Sequence, residues 1–180
     1  GDPFRYAEGL YAVAEKLAER FPFVYAAVGV HPEECADWNA EHDIPVLEAL
    51  AQNPKVRAIG EIGLDYHWAE NPPRELQQQA FHAQLELAEK LDLPVIVHDR
   101  DAHHDCLDIV RAHPKVTGVY HCYSGGVEDA KILMKLGWMI SFTGSITFKN
   151  ARRALEVIDL LPMDRIMIET DSPYLSPEPF

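Results

Sequence analysis

The sequence predicts an α/β fold built on parallel strands. Two observations predict it. Short apolar, β-rich runs alternate with longer amphipathic runs along the whole chain, the pattern of repeated βα units. The short runs are also nearly continuous in apolar residues, as expected of strands buried on both faces. No linker, repeat or low-complexity segment interrupts the alternation. Two architectures fit: an open doubly wound sheet, or part of a (β/α)₈ barrel. A barrel typically takes about 250 residues. With 180 residues and six apolar runs, a closed eight-stranded barrel does not fit.

In chain order, a helical pattern over Arg5–Arg20 precedes the first predicted strand, Phe23–Val30. A short helix, Pro45–Gln52, leads to the second strand, Val56–Ile62. The long helix Pro73–Leu91 carries Leu76, Ala80, Ala83, Leu87 and Leu91 on one stripe. Strands follow at Pro94–His98, Thr117–His121, Trp138–Thr143 and Arg165–Thr170. Helices over Asp101–Ala112, Val127–Leu136 and Asn150–Leu160 separate them, with Asp101 and Asn150 as N-cap candidates.

Composition narrows the partners. Sixteen Lys+Arg against 29 Asp+Glu give a net charge of −13, which repels nucleic acid and anionic membrane at long range. A nucleic-acid substrate would therefore be held by local cations or metals. No uncharged apolar run reaches the roughly 20 residues that span a bilayer, so no membrane association is expected. Gly1–Glu8 lacks the basic region and apolar core of a signal peptide. Cys35, Cys106 and Cys122 are too few and scattered for a disulfide framework, which fits a reducing cytosol. A cytoplasmic location is the expectation.

Candidate functional residues collect at the C-terminal ends of the strands, where parallel α/β folds place their chemistry. The second strand ends in Glu61 and Asp65, the third in His98 and Arg100, the fourth in His121, and the last in Glu169 and Asp171. Alternation places Ile59 with Glu61, Ile96 with His98, Val119 with His121, and Glu169 with Asp171. Imidazoles and carboxylates together suit Zn²⁺ or Mn²⁺, with Mg²⁺ also possible. Taken singly, a strand-end histidine is ordinarily a surface or satisfied core residue, and an Asp before Ser-Pro is ordinarily a turn residue. Glu61, between glycines in an apolar strand, is harder to dismiss: a buried carboxylate needs a partner. Cys122 reads as a core residue facing the helices. His103 and His104 read as exposed helix positions, and His82 and His113 as surface positions. Gly125-Gly126 reads as a plain loop or as an anion-facing backbone. Arg100 has two readings, a bidentate phosphate contact or a salt bridge to Asp99 or Asp101.

Five segments together resemble the motif series of the TatD-type metal-dependent deoxyribonucleases, in the family's order. They are Gly29-Val-His31-Pro32, Gly60-Glu61-Ile-Gly-Leu-Asp65-Tyr66, Val97-His98-Asp-Arg100-Asp101-Ala102, His121-Cys-Tyr-Ser-Gly125 and Glu169-Thr-Asp171-Ser-Pro-Tyr174-Leu. The resemblance covers nearly the whole chain. It implies a (β/α)₈ TIM-type barrel, residues 1–180 forming a single domain with strands two to seven and lacking the first and last. The family's opening His-x-His strand has no counterpart, since His31 is the first histidine.

The resemblance also implies roles. Glu61 would bridge two divalent metal ions (Zn, Mn or Mg). His98 and His121 would complete one shell. Asp171 would bind the second metal and act as base, so that Asp171 and Glu61 are the catalytic pair. Arg100, His31, Asp65 and Tyr123 would lie near the substrate phosphate. The implied function is phosphodiester hydrolysis, exonucleolytic on single-stranded DNA, with no stable protein partner. Two alternatives remain open: a small-molecule hydrolase or deaminase of the same superfamily, and a non-catalytic metal-binding barrel fragment.

Overall fold

A computed structural model describes residues 16–179. Of the predicted first helix, residues 16–20 are helical, and the remainder lies outside the described residues. The Gly1–Glu8 segment lies outside them too. Six parallel strands form one sheet in chain order: β1 (Ala26–Val28), β2 (Val56–Asp65), β3 (Val95–Arg100), β4 (Gly118–Tyr120), β5 (Met139–Phe142) and β6 (Ile166–Ile168). Helices α1 (Ala40–Leu50), α2 (Arg74–Leu91), α3 (His103–Ala112), α4 (Val127–Lys135) and α5 (Arg152–Leu160) connect them in sequence.

The register explains the core. Ile62, Val97, Tyr120, Ile140 and Ile166 form one apolar row across five strands. Their side of the sheet packs on the helices through Phe81, Leu85, Ala88, Cys106, Val110 and Leu133, all buried. Trp138 closes the row, its ring edge-on to Tyr120 at 5.3 Å. A second row, Ile96, Val119 and Met139, is only partly buried. The site residues continue from that second row.

Several boundaries differ from expectation for local reasons. β1 is shorter than Phe23–Val30 at both ends: the Lys55 ammonium takes the Val24 carbonyl at 3.0 Å, and the Gln84 side chain takes the Val30 carbonyl at 3.1 Å. Those carbonyls are thereby withdrawn from strand pairing. β2 runs on to Asp65, where Gln77 of α2 both donates to and accepts from the Asp65 backbone. α1 begins before Pro45, because the Asn39 side chain accepts from the Glu41 amide while the Asp43 carboxylate accepts from the Asn39 amide. That reciprocal cap nucleates the helix, and Pro45 is carried inside it. Asp101 and Asn150 do not cap. The residues at those positions are Ala102 and Ala151, with no side-chain cap. Asp101 has φ 54° and accepts from His67 instead.

The buried face of α2 is rotated from the predicted stripe. Leu76, Ala83 and Leu91 are half-buried, whereas Gln77 and Gln84 lie fully inside with Ala80, Phe81, Leu85 and Ala88. The glutamines are buried because each amide satisfies a strand end. Gln84 accepts from the Val30 amide at 2.7 Å and donates to its carbonyl at 3.1 Å. His113 is likewise buried rather than on the surface, its ring hydrogen-bonded to His82 at 2.8 Å.

Candidate active site

His31 follows β1, Glu61 lies in β2, His98 in β3 and His121 just beyond β4, all at or near the C-terminal side of the sheet. Glu61 sits where the β2–β3 register shifts between Ile59 and Ile62. This irregularity turns its carboxylate toward His31 (3.8 Å) and His121 (3.2 Å). Glu61 is not buried as expected. Its side chain is 40% exposed, because it opens at the mouth of the sheet rather than within it. One ligand atom each from His31, Glu61 and His98 lie within 4.8 Å of one another.

His98 is fixed from behind. Its Nε2 donates to Asp65 at 2.8 Å, which leaves Nδ1 as the second ring nitrogen. Asp65 is fully buried and also accepts from the His67 amide and the Asn71 side chain. It therefore orients His98. Gly63 is paired with His98 and has φ 141°. A Cβ there would collide with the His98 carbonyl.

His121 lies between two carboxylates, Glu61 at 3.2 Å and Glu169 at 3.1 Å. Burial disfavours its charge, but the two carboxylates win and push its pKa up to about 10. Glu61 is held below its ordinary value, chiefly by the hydrogen bond from His121. His31 moves the other way, down to about 4, through burial and the neighbouring His98. A neutral imidazole at His31 and an ionised carboxylate at Glu61 are the forms that bind divalent metals.

The remaining expected residues are placed as follows. Asp171 lies in the turn after β6, its carbonyl accepting from the Tyr174 amide at 2.8 Å. Among the described residues it makes no ion pair with the histidines. Its charge nevertheless helps to raise the Cys122 thiol pKa, a shift led by burial. Tyr123 is buried and donates to the Gly126 carbonyl at 2.9 Å, so its hydroxyl is engaged with its own loop. Arg100 is exposed and lies over the Trp68 ring at 5.4 Å. It makes no ion pair with Asp99 or Asp101 among the described residues.

Two members of the site, Glu169 and Cys122, were noted in the sequence without the part they play here. Glu169 accepts from the Cys122 amide as well as from His121, although its place in the Glu169-Thr-Asp171 segment was the available signal. Cys122 is beside the carboxylates, not in the core: its φ of 46° breaks strand alternation and returns it to the site side.

The sequence matches the TatD related DNase family over residues 9–180. The chain belongs to that family. An uncharacterized metal-dependent hydrolase of Bacillus subtilis is 42% identical over 169 residues, spanning 93% of this chain and 66% of its own length. The 3'-5' ssDNA/RNA exonuclease TatD of Escherichia fergusonii is 39% identical over 169 residues, 91% of this chain and 64% of its own. The crystal structure of the TatD homologue YJJV from Escherichia coli superposes with a TM-score of 0.83 at 36% identity, covering 94% of this chain and 66% of that one. The chain thus spans just under two thirds of these relatives. The likeness bears out the expected (β/α)₈ type of fold for this TatD-family chain.

Proposed function

We propose that this chain carries the metal-dependent hydrolytic centre of an exonuclease acting on single-stranded nucleic acid. The observation that carries the reading is the convergence of His31, Glu61 and His98 ligand atoms within 4.8 Å at the strand ends. This mixed nitrogen and oxygen set fits Zn²⁺ or Mn²⁺.

Glu61 would hold two divalent cations, His98 and His121 would help to hold one, and Asp171 the other. His31, whose ring centroid is 4.4 Å from that of His98, joins the Glu61–His98 set. When bound, such cations supply Lewis acidity toward a phosphoryl oxygen and acidify water. The protein's part is orientation and proton handling. Asp65 holds the His98 ring, Glu169 holds His121, and a carboxylate oxygen of Asp171 accepts the proton of the attacking water. Arg100, exposed at the mouth, takes a substrate phosphate. The name borne by the Escherichia fergusonii relative supports single-stranded DNA or RNA and the 3'-5' direction. A cytoplasmic setting suits the free Cys35, Cys106 and Cys122. Among the described residues, no helix is long and apolar enough to cross a membrane.

The test is hydrolysis of a labelled single-stranded oligonucleotide beside a panel of small esters, lactones and amidines. Chelation should abolish oligonucleotide cleavage, and Mn²⁺, Mg²⁺ or Zn²⁺ should restore it. Full cleavage in excess chelator, or preferential turnover of the small molecules, would overturn the reading.

A further inference from the structure

Exposed large apolar side chains are scattered over the described surface, but Trp68 stands apart because of what surrounds it. It follows Asp65 on the loop leaving β2, beside the mouth of the site. That loop is braced. The His67 amide donates to Asp65 at 3.0 Å, the His67 ring pairs with Asp101 at 2.7 Å, and the Asn71 amide donates to the Trp68 carbonyl at 3.3 Å. The His67 ring meets Trp68 edge-on, 4.5 Å between centroids and 86° between planes. The Arg100 guanidinium lies 5.4 Å from the indole centroid. The indole is thus held by an aromatic edge and a cation, yet the residue stays 48% exposed.

An indole held in place beside solvent keeps a large apolar face available at little further ordering cost. Its neighbours select the occupant. A guanidinium attracts phosphate, and it does so here on a protein whose net charge of −13 otherwise repels it. An aromatic face beside a phosphate-binding cation matches one unit of a single strand, a base and its backbone. A base within a duplex is already stacked on both faces and would not be available.

We propose that Trp68 is a stacking platform for an unpaired nucleobase next to the scissile phosphate, with Arg100 as its phosphate partner. The platform rests on the hydrolase reading above and adds how a single strand is selected over a duplex. It is a positioning device. Trp68 touches the base, and the reacting atoms lie elsewhere.

The experiment measures binding of labelled phosphorothioate oligothymidylate, which resists cleavage, to the metal-loaded protein by fluorescence anisotropy. Trp68→Ala should weaken binding by about fivefold or more, the lower end of measured base–aromatic stacking. Trp68→Phe should recover most of the loss, because it keeps a π-face. Arg100→Ala should weaken binding and reduce the salt dependence by about one phosphate contact. Replacing the bases with abasic sites should cost the wild type as much as Trp68→Ala does, and cost Trp68→Ala nothing further. Wild type should also hydrolyse bis(p-nitrophenyl) phosphate, which tests the hydrolase reading alone. Equal oligonucleotide binding by wild type and Trp68→Ala would overturn the platform, as would a Trp68→Phe variant as weak as Trp68→Ala. Failure of wild type to hydrolyse either substrate would instead overturn the hydrolase reading, and the binding comparison would still decide the platform.

Discussion

The β2–β3 side of the site and the β5–β6 side hold their functional groups by different means. On the first side, two strands pair up to Asp65 and Arg100, and the buried Asp65 fixes His98. Gln77 and Gln84 fasten the ends of β2 and of the segment after β1 to a single helix. On the second side, β6 has three residues, and Ile168 is 87% exposed at the edge of the described sheet. Glu169 and Asp171 follow directly from that edge. Preorganisation is therefore uneven. The half of the site with His31, Glu61 and His98 is braced from behind by the buried Asp65 and Gln84, whereas the half with Glu169 and Asp171 depends on contacts made at the site itself.

The sharpest way to break this comparison is Glu61→Ala, because Glu61 contacts both halves. Catalytic efficiency should fall by more than the roughly 100-fold that marks the upper range for outer-shell partners. Asp171→Asn should lower kcat with metal content largely kept. Metal analysis and steady-state kinetics of both variants would check this, and near-wild-type activity in Glu61→Ala would refute it.

Gly63→Ala tests the rigid side alone. The added methyl meets the His98 carbonyl in a backbone conformation that L residues avoid. A loss of about 3 kcal/mol is expected in denaturant unfolding, with metal affinity falling alongside. A loss below about 1 kcal/mol would mean that the β2–β3 side yields more easily than its packing implies.

The looser side is best probed by pH. His121 carries a pKa raised to about 10, from 6.5, so its pairing with Glu169 and Glu61 stabilises the metal-free fold fully below about pH 6.5. That contribution should drain away as pH rises toward 10. The wild-type advantage over His121→Asn in thermal unfolding should shrink across the same window. His31 behaves oppositely. With its pKa lowered to about 4, the fold loses stability as pH falls from 6.5 toward that value. A His121 advantage that grew with pH would have the wrong sign.

The smallest effects compare the two supports directly. Gln84→Ala leaves the Val30 backbone groups without their partner and should cost about 1–3 kcal/mol. Ile168→Thr, at an exposed edge position, should stay within about 0.5 kcal/mol. Similar costs for both would erase the distinction drawn here.

Much of this was legible in the sequence, because periodicity and strand-end chemistry are local. The βα alternation, and the arrival of His98 and His121 at strand ends, need only residue order and a two-residue period, whereas Glu61 is turned into the site by the register shift in β2. What escaped depends on partners distant in sequence. Gln77 and Gln84 look like breaks in an apolar stripe until the strand ends they satisfy are known. Lys55 trims β1 from across a turn. Cys122 changes side through one positive φ, which alternation cannot anticipate. His31, expected beside a phosphate, packs against His98, a contact that only the sheet creates.

The two glutamines of α2 have one more consequence. Their carboxamides carry no formal charge and do not titrate, so the braces behind Val30 and Asp65 are indifferent to acidity and little screened by added electrolyte. A carboxylate or ammonium in either place would have coupled its own ionisation to that of the histidines nearby. With neutral braces at these two joints, no group there gains or loses a proton when the histidines and carboxylates at the mouth do.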